Sequence, residues 1–137
     1  MAECSIANRR GGQVAALGAL IMALAVIAGA AGDHLVAGRV SAHQLQVYDT
    51  AVRFQIYHGL GLLLVGILIR QYGKRRLLYL AAILMALGVL FFCGGLYLLV
   101  LTGQQDWAIF APIGGTAWIV SWFLIVLSLW RASRKER

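Results

Sequence analysis

The chain has 137 residues, enough for one domain, of which 61% are hydrophobic and 12% charged. A soluble domain carries about a quarter charged residues and at most about half apolar ones, so this chain lacks the polar surface to face water on all sides. Its formal charge of +7 would suit nucleic acid in a soluble protein, but here the bases cluster beside apolar runs, as at the cytoplasmic flanks of membrane helices, and no nucleic acid is expected.

Residues 1–13 are polar, with Arg9, Arg10 and two glycines, and read as disorder or a frayed helix start. Val14 to Gly32 contains no charge and is long enough to cross about 30 Å of hydrocarbon as a helix. Gly18, Ala25, Gly29 and Gly32 share one helical face, the small-residue packing device used where water is absent. Arg9-Arg10, the apolar stretch and Ala28-Gly29-Ala30 also fit a cleaved signal peptide, which would leave a chain beginning at Ala31.

Ser41 to Tyr57 reads as an amphipathic helix, with Ser41 and Gln44 forming a capping box. The apolar run from Tyr57 to Arg70 is too short to span alone. Counting about twenty residues back from Arg70 reaches Ala51, so Arg53, Gln55 and His58 fall within the outer leaflet or its interface, and the amphipathic helix leads directly into the second span. Leu77 to Leu101 forms the third span and Ala108 to Trp130 the fourth, bracketed by Trp107 and Trp130 as interfacial aromatics. The spans are thus about 14–32, 51–70, 77–101 and 108–130 of a single transmembrane domain. Gly114, Ala117, Ser121 and Ser128 make a small-polar face on the last. Cys4 lies in the tail and Cys93 in an apolar run, so no disulfide joins them, and no CxxC or Cys/His metal spacing occurs.

Four spans put the N-terminus, the 70–76 turn and the C-terminus on one side. That side holds Arg9, Arg10, Arg70, Lys74, Arg75, Arg76, Arg131, Arg134, Lys135 and Arg137, against only Arg39 and Arg53 opposite. The bias predicts both termini in the cytoplasm.

The polar residues then share an address at the outer helix ends. Asp33, His34, Asp49, Arg53, Gln55, His58 and Tyr97 form the candidate cluster, with Gly29, Gly32, Gly94, Gly95, Pro112, Gly114 and Gly115 as packing or turn positions. Intramembrane ionisable groups are costly and usually pair, so Arg53 is expected against Asp33 or, one turn away, Asp49. On a continuous helix Arg53 and Tyr57 share one stripe, while Gln55 and His58 share another with Ala51 and Leu62. The structural reading is a hydrogen-bond and ion-pair lock between helix ends. The alternatives are a haem or metal held by His34 and His58, or a proton or solute relay through Asp33, His34 and His58. No HxxxH or ExxH pair, GxSxG, Walker loop or HExxH occurs, and Tyr97, Trp118 and Trp122 read as packing or lipid-facing aromatics.

Four ordered stretches, GAAGDHL (29–35), YDTAVRFQIYHGLGLL (48–63), FFCGGLYLL (91–99) and APIGGTAWIVSW (111–122), together resemble the domain-of-unknown-function 423 family, itself similar to eukaryotic transmembrane protein 256. The resemblance highlights Gly29, Gly32, His34, Gln55, His58, Gly94, Leu96, Tyr97, Pro112, Gly114, Gly115 and Trp122. The chain departs from the pattern at Asp33, Phe54, Cys93, Gly95 and Ser121. The resemblance implies a four-span protein of bacterial inner or mitochondrial membranes with no established activity.

The expectation is therefore an all-α integral membrane four-helix bundle of the bacterial inner membrane, with both termini cytoplasmic. Its expected role is non-catalytic: an accessory or assembly subunit, or a lipid-interacting scaffold, without a cofactor. The expected partners are the lipid bilayer and a larger membrane complex or a second copy, met through small-residue faces.

Overall fold

The computed structural model describes residues 2–73 and 75–135, with side chains for 8–73 and 75–134. Lys74 and Arg137, and the side chains of Cys4 and Lys135, all used in the reading above, lie outside the described residues. Four helical stretches are long and apolar enough to cross a membrane: Asn8–Val36, Ala42–Tyr72, Arg76–Thr102 and Gln105–Arg134.

Helix α1 (Ala2–Ala31) runs on into a π-helical turn, Gly32–Val36. The segment expected to be disordered or frayed is therefore helix from Ala2. The reason is a tertiary tie at that end: Arg70 Nε donates to Asn8 Oδ1 at 2.7 Å, and Gly11 lies against the Gly66 carbonyl.

Helix α2 (Ala42–Tyr72) is unbroken, so the amphipathic segment and the second span are one element. Ser41 caps it reciprocally: its Oγ accepts from the Gln44 N–H at 3.2 Å, and Gln44 Oε1 accepts from the Ser41 N–H at 3.0 Å. Gly73, at φ 72, ends the helix in a region that side-chain-bearing residues avoid.

The third span is assembled from α3 (Arg76–Gly88), a second π turn (Val89–Cys93) and α4 (Gly94–Thr102). After Gly103 a short 3-10 turn, Gln105–Ile109, holds Trp107. Helix α5 (Phe110–Lys135) follows, starting two residues later than the expected span because that turn intervenes. Pro112 sits in its first turn, where the missing N–H removes no helical bond.

Backbone meets backbone along the seam between α1 and α2. A Cβ on Gly18 would overlap Leu63 N, and one on Gly66 would overlap Ala15 N. Farther out, Gly29 faces Val52 Cγ1 and Gly32 the ring of Tyr48, so the whole small stripe of α1 is spent on α2. Between the third and fourth spans, Gly114 faces Phe92 N and the Gly88 carbonyl. Leu62, Val65, Ile69, Leu78 and Met85 fill the centre. Leu20, Ile27, Leu64, Leu90, Ile119 and Phe123 point outward, a surface that suits hydrocarbon and not water.

Candidate functional site

The buried face of α2 repeats in steps of three and four: Tyr48, Ala51, Gln55, His58, Leu62, Val65 and Ile69 are all buried. This is a heptad seam, and its N-terminal half carries polar groups where its C-terminal half carries aliphatic ones. A buried polar group must be hydrogen-bonded or lose its water at a net cost; Tyr48 and Gln55 find partners on other spans, and His58 on its own helix.

Gln55 is the centre of the first set. Its Nε2 donates to the Ile21 carbonyl at 3.1 Å, and its Oε1 accepts from the Tyr97 hydroxyl at 2.7 Å, so one amide joins the first three spans. One heptad earlier, the Tyr48 hydroxyl donates to the Ala28 carbonyl at 2.9 Å, while its ring packs 5.0 Å from that of Tyr97.

The second set joins the third and fourth spans. Trp118 Nε1 donates to the Met85 carbonyl at 3.1 Å, and Ser121 Oγ to the Ala81 carbonyl at 2.8 Å. Gly88 is required here, because a Cβ would run into the Trp118 indole. At the termini-bearing end, Arg75 Nη1 donates to the Ser128 carbonyl at 3.3 Å and its guanidinium lies 5.3 Å from the Tyr72 ring.

His58 connects the two sets. Its Nδ1 lies 2.8 Å from the Phe54 carbonyl, which can only accept, so Nδ1 carries a proton, and whenever the ring is neutral Nε2 is the acceptor. The imidazole stacks on Trp118, with Phe54 and Phe92 packed on the same indole at 5.7 and 4.8 Å.

The structure divides the residues singled out from sequence. Gln55 and Tyr97 bond directly, and His58 is buried one turn below, on the stripe shared by Ala51, Gln55 and Leu62. Asp33, His34, Asp49 and Arg53 are exposed and stand apart from that core. The expected ion pairs do not form among the described residues: Arg53 donates to Thr50 Oγ1 at 3.3 Å, because its stripe faces away from the seam. His34 lies exposed in the first π turn, whereas His58 is buried on α2. Among the described residues no group of three His, Cys, Asp or Glu side chains is assembled for a metal. Gly95 lies 3.0 Å, from its added Cβ, to the Trp107 carbonyl, and Gly115 just touches Phe92, but Gly94 meets nothing within 4 Å. Trp118 is a hydrogen-bonded core residue, Tyr97 is hydrogen-bonded and half-buried, and Trp122 is exposed.

Three participants were not among the residues proposed for the cluster: Tyr48, Trp118 and Ser121, the last read only as part of a small-polar face. Tyr48 carried a legible signal, since it extends the Ala51–Gln55–His58 heptad by one step. Trp118 carried none, because its role depends on a glycine thirty residues earlier in the chain.

The family model described as Protein of unknown function (DUF423) matches residues 28–115, which includes α2, its heptad seam and the third span. The chain belongs to this family. The DUF423 chain is 36% identical over 115 residues to the UPF0382 membrane protein SAB0533 of Staphylococcus aureus (strain bovine RF122 / ET3-1), covering 84% of this chain and 93% of that one. It is 38% identical over 112 residues to the UPF0382 membrane protein YwdK of Bacillus subtilis (strain 168), covering 82% of this chain and 91% of the relative. No solved structure matches it significantly. Four apolar helices and membrane-protein relatives together make this DUF423 chain a small multi-pass membrane protein.

Proposed function

We propose that this protein is a non-catalytic accessory or assembly subunit, or lipid-interacting scaffold, of the bacterial inner membrane, with both termini in the cytoplasm. One observation carries the reading: five polar side chains of the bundle interior are spent on holding helices together. Tyr48, Gln55, Trp118 and Ser121 each donate to a backbone carbonyl of another span, and Tyr97 donates to Gln55. Such bonds lock helix positions and commit one donor of each group to a neighbouring span. The basic bias toward the end carrying both termini supports the orientation. Native gels and cross-linking in mild detergent test the role. Migration with a partner protein, a second copy or retained lipid is expected, and a solitary lipid-free monomer would overturn it.

His58 supports a second reading, a cofactor-bearing or proton-handling protein. Its Nε2 has no hydrogen-bond partner among the described residues, and its ring stacks on Trp118, with Phe54 on the same indole. Optical spectra and metal analysis of the purified protein separate the two. The scaffold reading expects neither a Soret band nor stoichiometric metal.

A further inference from the structure

At the end of the bundle that carries both termini, α1 and α3 leave a cleft of about 320 Å³, lined by Arg10, Gln13, Val14, Leu17 and Tyr79. The four α1 residues are spaced three, one and three apart, so they form one strip on one helical face. The strip changes character along the helix axis. A guanidinium and an amide stand at its outermost turn, and Val14 and Leu17 continue it toward the bundle centre over roughly 10 Å. The opposite wall is Tyr79, whose hydroxyl is buried without a hydrogen-bond partner among the described residues. An orphaned hydroxyl is a standing cost that an added acceptor relieves.

Three other cations at this end are engaged within the protein. Arg70 is bonded to Asn8, Arg75 to the Ser128 carbonyl, and Arg134 lies 4.2 Å over the Trp130 ring. Arg10 lines the cleft instead.

We infer that this cleft binds one anionic phospholipid of the adjacent leaflet, a deepening that rests on the lipid-interacting role proposed above. The headgroup phosphate sits against Arg10 and Gln13, a phosphate or glycerol-ester oxygen accepts from the Tyr79 hydroxyl once the lining side chains part, and an acyl chain runs along Val14 and Leu17. The polarity gradient selects a lipid over a soluble anion: a free phosphate would leave the apolar half of the strip unused. Basic clefts between spanning helices on the cytoplasmic side are suited to such headgroups.

Native mass spectrometry of the full chain in mild detergent tests this, with phosphatidylglycerol and phosphatidylcholine as probes. The wild-type protein should retain one phosphatidylglycerol under activation that strips phosphatidylcholine. Arg10→Gln should weaken retention about fivefold, and Arg10→Gln with Tyr79→Phe about tenfold. Arg134→Gln, at the same end but outside the cleft, should change nothing. Unaltered retention in the double variant, or an equal loss in Arg134→Gln, would overturn the site in favour of diffuse charge attraction. Displacement of the lipid by millimolar inorganic phosphate would overturn the lipid in favour of a soluble anion. Tyr79→Phe alone preserves the ring and serves as the folding control, checked by its melting temperature. A chain that runs as a monomer on native gels yet retains phosphatidylglycerol would sink the subunit role and leave this site standing.

Discussion

The His58 imidazole lies flat on the Trp118 indole, ring centroids 3.6 Å apart and planes 3° from parallel. Trp118 passes the connection on through its Nε1–H to the Met85 carbonyl, so two side chains tie α2, α5 and α3 at one level of the bundle. Gly88 leaves room for the indole, and Phe54 and Phe92 close around it.

Trp118→Phe keeps an aromatic ring against His58 but removes the donor to Met85. It should destabilise the protein by about 0.5–1.5 kcal/mol. Trp118→Ala, which empties a buried site, should cost about 3–5 kcal/mol. Unfolding in detergent micelles, followed by circular dichroism, measures both.

Gln55 and Tyr97 should be energetically coupled. A double-mutant cycle of Gln55→Leu and Tyr97→Phe is expected to give about 0.6 kcal/mol, and no more than roughly 1.7, the range found for hydrogen bonds between membrane helices. Additive losses would mean that the 2.7 Å bond contributes nothing to stability.

Neighbouring glycines should respond with opposite sign. Gly66→Ala places a methyl group on the backbone of Ala15, which cannot move aside without parting α1 from α2, and should destabilise by about 1–3 kcal/mol. Gly12→Ala and Gly94→Ala meet nothing within 4 Å and should be neutral or stabilising by up to about 1 kcal/mol through helix propensity. Melting temperatures of the three variants decide the matter.

Orientation can be read by labelling. In a background with Cys4→Ser and Cys93→Ser, an impermeant maleimide should reach Arg39→Cys in intact cells, since Arg39 lies exposed in the turn between the first two spans. Ser133→Cys, exposed at the end that carries both termini, should label only after permeabilisation. The reverse pattern would place the termini outside.

Features with local causes were legible in the sequence. The Ser41–Gln44 cap involves residues three apart, and a length count from Arg70 sufficed to merge the amphipathic segment with the second span. The Ala51–Gln55–His58–Leu62 stripe was legible because helical periodicity alone puts those residues together, and all four are buried. What stayed hidden depended on which stripe meets which neighbour. Asp33, Asp49 and Arg53 looked like partners by charge and spacing, but their faces turn outward. The π turns at Gly32–Val36 and Val89–Cys93 have no evident marker in composition, because they reflect one extra residue accommodated between packed helices. Trp118 reads as one more apolar aromatic until the glycine opposite it is known.

The backbone-to-backbone seam of α1 and α2 bears on how the protein is made. It is built from residues 11–66 and requires no side chain from the later spans. Glycine contacts of this kind freeze few rotamers, so the first hairpin can zip as soon as its second arm has entered the bilayer, while the ribosome is still producing α3. The Tyr97–Gln55 and Trp118–His58 contacts come from chain synthesised later, and they act as latches fastened on a hairpin already in place.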